Sequence, residues 1–216
     1  MRRREGRLAG TASGRVRNGA AAGSGGRYGT RVPPPLALAP VLVLPGFHGS
    51  GPEHWQTLWA VRHPGFRRVE QADWETPRCR DWVARLDAAV AEHGQRALLV
   101  AHSAGCALVA HWVAARRGVV RGALLVAPSD TERPSFPAGP TGFAPLPLVR
   151  LPFPSTVVAS ADDPYVSLER ATLFARAWGS RFVDVGAAGH VNAASGLGDW
   201  PAGFELLLEL AARADA

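Results

Sequence analysis

Short β-forming runs recur along this chain from residue 41 onward, and they limit the folds open to it more than any other feature. The runs are "VLVL" (41–44), "FRRVEQA" (66–72), "ALLVAH" (97–102), "GALLVA" (122–127), "STVVAS" (155–160) and "RFVDV" (181–185). Five of them lead into helical stretches, at Glu53–Val61, Cys79–His93, Ala104–Arg116, Leu168–Trp178 and Ala202–Arg213. Apolar runs of four to six residues between helices read as strands buried on both faces. The alternation predicts one parallel sheet of about six strands wrapped by helices, with right-handed crossovers. In such sheets ligands bind at the carboxyl ends of the strands.

One interval breaks the rhythm. Ser129–Pro154 holds seven prolines in twenty-six residues, too many for a long helix. It follows the fourth run, so it reads as a small cover over the site, with Phe136–Phe153 as its apolar part. Before the first run, residues 1–39 are rich in Gly, Ala and Arg without apolar periodicity, and they read as a disordered tail ahead of a domain at 40–216. This division also explains the charge. Eight arginines and one acid fall in residues 1–40, whereas sixteen arginines face seventeen acids after them. The formal charge of +6 therefore belongs to the tail, and the near-neutral domain offers no basic surface for nucleic acid. No apolar stretch approaches the length of a membrane span, and the tail lacks the apolar core of a secretory signal. Two cysteines, Cys79 and Cys106, fit a reducing cytoplasm better than a disulfide framework.

The strand ends carry the chemistry. After the third run comes "AHSAG", a variant of the G-x-S-x-G nucleophile elbow with Ala101 in the first glycine's place. That turn needs small residues two before and two after the serine, and Ala101 and Gly105 supply them. Ser103 is the candidate nucleophile; as a plain serine it would cap the helix that follows. After the first run, "PGFHGSGPEHW" can bend its backbone close to a ligand. The N–H groups of Phe47 and Ala104 are the candidate oxyanion donors, and Gly46, His48, His54 and Trp55 the candidate substrate-binding residues. The tryptophans taken singly read more simply as core.

After the fifth run, "SADDPYVS" offers Asp162 or Asp163 as the acid. Asp163, which stands before the turn-forming Pro164, is preferred, and Asp130 after the fourth run is the reserve. After the sixth, His190 stands in the glycine-rich "GAAGHVNAASG". The chain order Ser, Asp, His is that of the elbow fold. Neither a metal-ligand spacing nor a phosphate loop occurs, and the chain has no lysine. The chemistry that follows is acyl transfer without metal or organic cofactor: His190 as base, Ser103 as nucleophile, a small ester as substrate. A dehalogenase would need an acid at position 103. Amidase, thioesterase and perhydrolase chemistry share such a site. A non-catalytic protein-binding module on the same fold is the reading from another class, although no protein partner is indicated by the residues.

The stretches "LPGFHGSGPEHWQTLW", "LLVAHSAGCALVAHW", "GALLVAPSD", "LPFPSTVVASADDPYVSLERA", "WGS" and "GAAGHVNAASGLGDWP" resemble the small α/β-hydrolases related to retinoblastoma-binding protein 9. The resemblance runs from about Leu42 to Pro201. It implies a compact α/β-hydrolase fold with little or no cap domain, and Ser103, Asp163 and His190 as a catalytic triad.

Overall fold

The computed structural model describes residues 39–215. The expected tail lies outside them except for Ala39, which is buried. Six strands form one parallel sheet: β1 (Val41–Leu44), β2 (Phe66–Arg68), β3 (Leu98–His102), β4 (Gly122–Val126), β5 (Ser155–Ala159) and β6 (Arg181–Asp184). Their order across the sheet is β2-β1-β3-β4-β5-β6. Five helices connect them: α1 (Trp55–Arg62), α2 (Cys79–His93), α3 (Ala104–Arg116), α4 (Leu168–Trp178) and α5 (Pro201–Ala214).

Strand alternation divides the core in two. Leu42, Leu44, Leu99, Ala101, Leu125 and Val157 face α2, α3 and α4, where Trp82, Trp112 and Phe174 fill the space. Val41, Val43, Leu98, Val100, Leu124 and Val158 face the other way, onto Trp55 and Trp59 of α1 and Leu207 and Leu210 of α5. The four central strands are buried along their whole length. The two edge strands depart from the expectation of burial on both faces: β2 has one buried residue of three, and β6 none of four. Each edge strand has a neighbour on one side only, so its flank stays open to water and tolerates polar residues. The "FRRVEQA" run accordingly yields a strand of only three residues.

From β1 the chain goes to β2 on one side and then, through α2, to β3 on the other. The loops after β1 and β3 therefore diverge at a switch point, where a crevice opens at the carboxyl edge of the sheet. The proline-rich interval does two jobs where one was expected. Phe136 and Pro137 reach the crevice, whereas Phe143, Leu146, Leu151 and Phe153 are buried in the core. Thr141 pairs its backbone with Pro77 and Cys79 at 2.9 Å each, tying the loop to the start of α2. The cover is thus confined to the beginning of the interval, because a loop without its own helices buries its apolar side chains in the nearest core.

Candidate active site

Ser103 stands between β3 and α3 with φ 57° and ψ −124°, a conformation that an L side chain rarely adopts. Close packing explains why the turn tolerates no bulk. A Cβ built on Gly105 would lie 2.3 Å from the Leu44 carbonyl oxygen, and one on Gly46 would lie 2.7 Å from the Ser103 Cβ. Gly46 also brings the β1 loop to the first turn of α3: its Cβ position is 3.3 Å from the Ala104 nitrogen. The loop carrying Phe47 and the N-terminus carrying Ala104 thus meet beside Ser103, and α3 turns its positive end toward the same place.

His190 lies across the crevice. Its Nδ1 is 2.9 Å and 3.0 Å from the two carboxylate oxygens of Asp163, and its Nε2 is 2.9 Å from Ser103 Oγ. A carboxylate only accepts, so Nδ1 carries the hydrogen and Nε2 accepts the Ser103 hydroxyl. The Asp163 side chain is wholly enclosed. Tyr165, half exposed, sets its ring edge-on to the imidazole at 4.5 Å and donates its backbone N–H to Asp163 at 2.8 Å.

Asp162 does different work. It accepts from Ser160 Oγ and from the Gly189 N–H, both at 2.7 Å, and these bonds hold its carboxyl below the usual range. Asp130 faces Arg170, which donates two hydrogen bonds at 2.8 Å and 2.9 Å. Burial pushes the Asp130 carboxyl up, but Arg170, the Glu132 N–H and the charge of Arg133 together bring it below its ordinary value. It has no part in the contacts of His190.

The crevice holds about 490 Å³. Phe47, Phe136 and Pro137 form an aromatic and apolar wall, and His54, His102 and Asn192 a polar one. A larger hollow of about 590 Å³ at Arg78, His111 and Arg116 shares no lining residue with it. Among the described residues no group of three or more His, Cys, Asp or Glu side chains could hold a metal ion.

The serine hydrolase family matches this chain over residues 41–209, which takes in every element of the sheet and the whole crevice. The chain belongs to that family. Comparison with curated proteins returned no match. Among solved structures, a protein described as a YdeN-like hydrolase from Pectobacterium atrosepticum is 32% identical, with a TM-score of 0.72 over 82% of this chain and 92% of that one. The ydeN gene product of B. subtilis superposes with a TM-score of 0.61 at 19% identity, over 80% of this chain and 98% of that one. Est1E of Butyrivibrio proteoclasticus, at 13% identity and a TM-score of 0.57 over 81% and 89%, shares the fold.

Of the residues expected in this serine hydrolase's site, Gly46, Phe47, His48, His54, Ser103 and His190 line the crevice. His48 stands at the mouth, where its exposed ring meets Glu75 at 2.8 Å. Trp55 does not line it. Its side chain is buried between Trp59 and Trp200, and its indole N–H donates to the Val191 carbonyl at 2.8 Å. The expectation failed because the helix begins at Trp55, whose side chain turns inward to the sheet, while His54, its cap, is buried against the crevice wall. Val191 is itself a β-branched residue at φ 48°, so the indole helps to hold a strained carbonyl one residue beyond His190.

Sequence reasoning missed Ser129. Its Oγ lies 2.8 Å from Ser103 Oγ. Because the Ser103 hydrogen points to His190, Ser129 is the donor of this bond. The available signal was its place directly after β4, at the same sheet edge as the other three groups. His102, just before Ser103, packs and hydrogen-bonds inside the elbow: it is buried, burial above all pushes its pKa well down, and Nε2 donates to the His190 carbonyl at 2.9 Å.

Proposed function

We propose that this serine hydrolase is a carboxylic-ester hydrolase that works through an acyl-enzyme on Ser103. The observation that carries the proposal is the continuous chain of hydrogen bonds from Asp163 through His190 to Ser103, with Ser103 on a strained turn. His190 takes the hydroxyl proton as Ser103 Oγ attacks the ester carbonyl. Asp163 keeps the imidazole hydrogen on Nδ1 and stabilises the ring while it is charged. The N–H groups of Phe47 and Ala104 receive the oxyanion. The charged His190 then protonates the departing alkoxide. In the second half the same imidazole removes a proton from water, which attacks the acyl carbonyl and returns Ser103 to its hydroxyl form. Neither metal nor organic cofactor enters these steps.

The aromatic wall and the modest crevice suit a small, uncharged ester, which is the substrate class proposed. Ester is preferred to amide or thioester on the strength of this accessible crevice with its apolar wall. The residues quoted above support a place among the hydrolases related to retinoblastoma-binding protein 9. Two buried, unpaired cysteines support a cytoplasmic location. Among the described residues no helix is long and apolar enough to cross a membrane.

The test is labelling with a fluorophosphonate probe, followed by a panel of short-chain esters. Wild type should label, Ser103→Ala should not, and His190→Ala should label far more slowly. A folded wild type that neither labels nor turns over any ester would overturn the proposal in favour of a non-catalytic binding role.

A further inference from the structure

Of the phenylalanine and tyrosine rings that line the crevice, Phe47 and Phe136 are partly buried against the core, whereas Tyr165 is 50% exposed. One exposed ring is ordinary by itself. Tyr165 differs in how firmly it is held. Its backbone N–H donates to Asp163 at 2.8 Å, and its carbonyl accepts the Asp130 N–H at 3.1 Å. The Arg133 guanidinium lies 5.9 Å from the ring centroid and donates to the neighbouring Pro164 carbonyl. The imidazole of His190 packs at 4.5 Å. An open ring already fixed in this way is a favourable surface for a ligand, because little side-chain freedom is lost when it is covered.

The reaction proposed above gives each arm of the ester a direction. His190 Nε2 must protonate the departing alkoxide, so the leaving oxygen lies beside that nitrogen and the alcohol arm runs along the His190 side of the crevice. Two rings flank the imidazole there: His102, at 4.8 Å and 5% exposed, and Tyr165, at 4.5 Å and half exposed. Of the two, Tyr165 offers the open surface. The oxyanion points to the N–H groups of Phe47 and Ala104. The acyl arm is left with the remaining side, where Phe136 packs on Phe47 with ring centroids 5.7 Å apart.

We propose that Tyr165 is a specificity-determining residue that receives the alcohol arm and selects esters of arylmethyl alcohols with small apolar acids. The aryl group packs on the Tyr165 ring edge-to-face or offset, a contact that an aliphatic ring of similar size does not reproduce. A cationic alcohol is disfavoured, because the Arg133 guanidinium lines the crevice beside this ring. The inference rests on the ester-hydrolase reading and names its substrate class.

The test compares esters that differ in one ring. In the alcohol arm these are benzyl acetate and cyclohexylmethyl acetate; in the acyl arm, methyl phenylacetate and methyl cyclohexylacetate. The ratio of kcat/KM for each aromatic ester over its aliphatic partner is measured in wild type, Tyr165→Leu and Tyr165→Phe. Dividing the variant ratio by the wild-type ratio cancels the reactivity of the esters and any change at His190 that both esters feel. Leu keeps apolar bulk without a ring, whereas Phe keeps the ring and gives up only the hydroxyl. Because Tyr165 is half exposed, neither change leaves a cavity in the core.

The expected result is that Tyr165→Leu lowers the alcohol-arm ratio about three- to tenfold and leaves the acyl-arm ratio unchanged. Tyr165→Phe should keep both ratios. An unchanged alcohol-arm ratio in Tyr165→Leu would overturn the inference. So would an equal fall in both arms, which would mark a general disturbance of the site, or a fall in the acyl arm alone. An equal loss in Tyr165→Phe would assign the selectivity to the hydroxyl and overturn it too. If the variants turn over no ester, the wild type decides: an alcohol-arm ratio no greater than that of hydroxide-catalysed hydrolysis overturns the inference, and a larger one sustains it. Failure of wild-type Ser103 to label would instead remove the ester-hydrolase reading beneath it.

Discussion

The Ser103 turn and the His190 loop meet at two hydrogen bonds, from Ser103 and from His102, yet they are held by opposite means. The turn is shaped by contact at short range: Gly105 fits only because it has no side chain to strike the Leu44 carbonyl, and the buried Ala101 precedes it. The loop is held by hydrogen bonds from afar. Trp55 reaches Val191, His102 reaches His190, Asp162 reaches Gly189, and Ser160 Oγ accepts from Ala188 at 2.9 Å. The nucleophile role proposed for Ser103 needs one backbone conformation, which steric exclusion enforces. The base role proposed for His190 needs a ring that stays oriented while its charge changes, which a set of directional bonds does better.

The contrast can be tested in descending order of effect. Asp163→Asn should lower kcat about 10⁴-fold, by favouring the wrong imidazole tautomer. Asp162→Asn should cost far less, because it loosens Gly189 without touching the ring; a comparable loss in both would refute the separate roles. On the turn side, Gly105→Ala forces a Cβ onto backbone and should destabilise the fold by about 3 kcal/mol or more, read by urea unfolding.

Acid should act through the buried histidines packed beside the loop. Folded His54 protonates at about 4, but the unfolded chain protonates it near 6.5. Between those values the unfolded chain binds more protons, so this stabilisation is complete above about pH 6.5 and disappears as pH falls toward 4. The loss is about 3 kcal/mol, and His102 adds to it in the same direction. Urea midpoints measured from pH 7 to pH 4 should fall, and fall less in His54→Asn. An unchanged slope would show that another group governs the acid response.

Trp55→Phe keeps most of the ring packing but strands the Val191 carbonyl. It should cost about 1–3 kcal/mol and lower kcat several-fold, seen in parallel melts and ester assays. The smallest effect belongs to Ser129→Ala, which removes one neutral hydrogen bond of about 1 kcal/mol from Ser103 Oγ. Its signature is a few-fold change in kcat with a Tm lowered by no more than about 2–4 °C.

Much of this was readable in advance. The helices Cys79–His93, Ala104–Arg116 and Leu168–Trp178 have the bounds that their periodicity predicts. The elbow was legible because its demands are local: small residues at fixed offsets around Ser103. The choice between Asp162 and Asp163 was not, because adjacent residues at a strand end differ only in direction, and direction is set by the turn that Pro164 and Tyr165 complete. Asp130 looked like a reserve acid for the same reason; Arg170, forty residues later, occupies it.

Trp55 shows the limit most clearly. Its sequence position beside a glycine-rich loop pointed to the crevice, but its partner Val191 lies 136 residues away. Hydrophobic period and side-chain size act between near neighbours, so they were enough to define the order of strands and helices, the elbow and the chain order of serine, acid and histidine. Hydrogen-bond partners are chosen by proximity in space after the sheet has assembled. The pairing of Asp163 with His190, the contact of Ser129 with Ser103, the anchoring of the loop by Trp55 and the packing of Tyr165 against His190 therefore exist only in the folded chain.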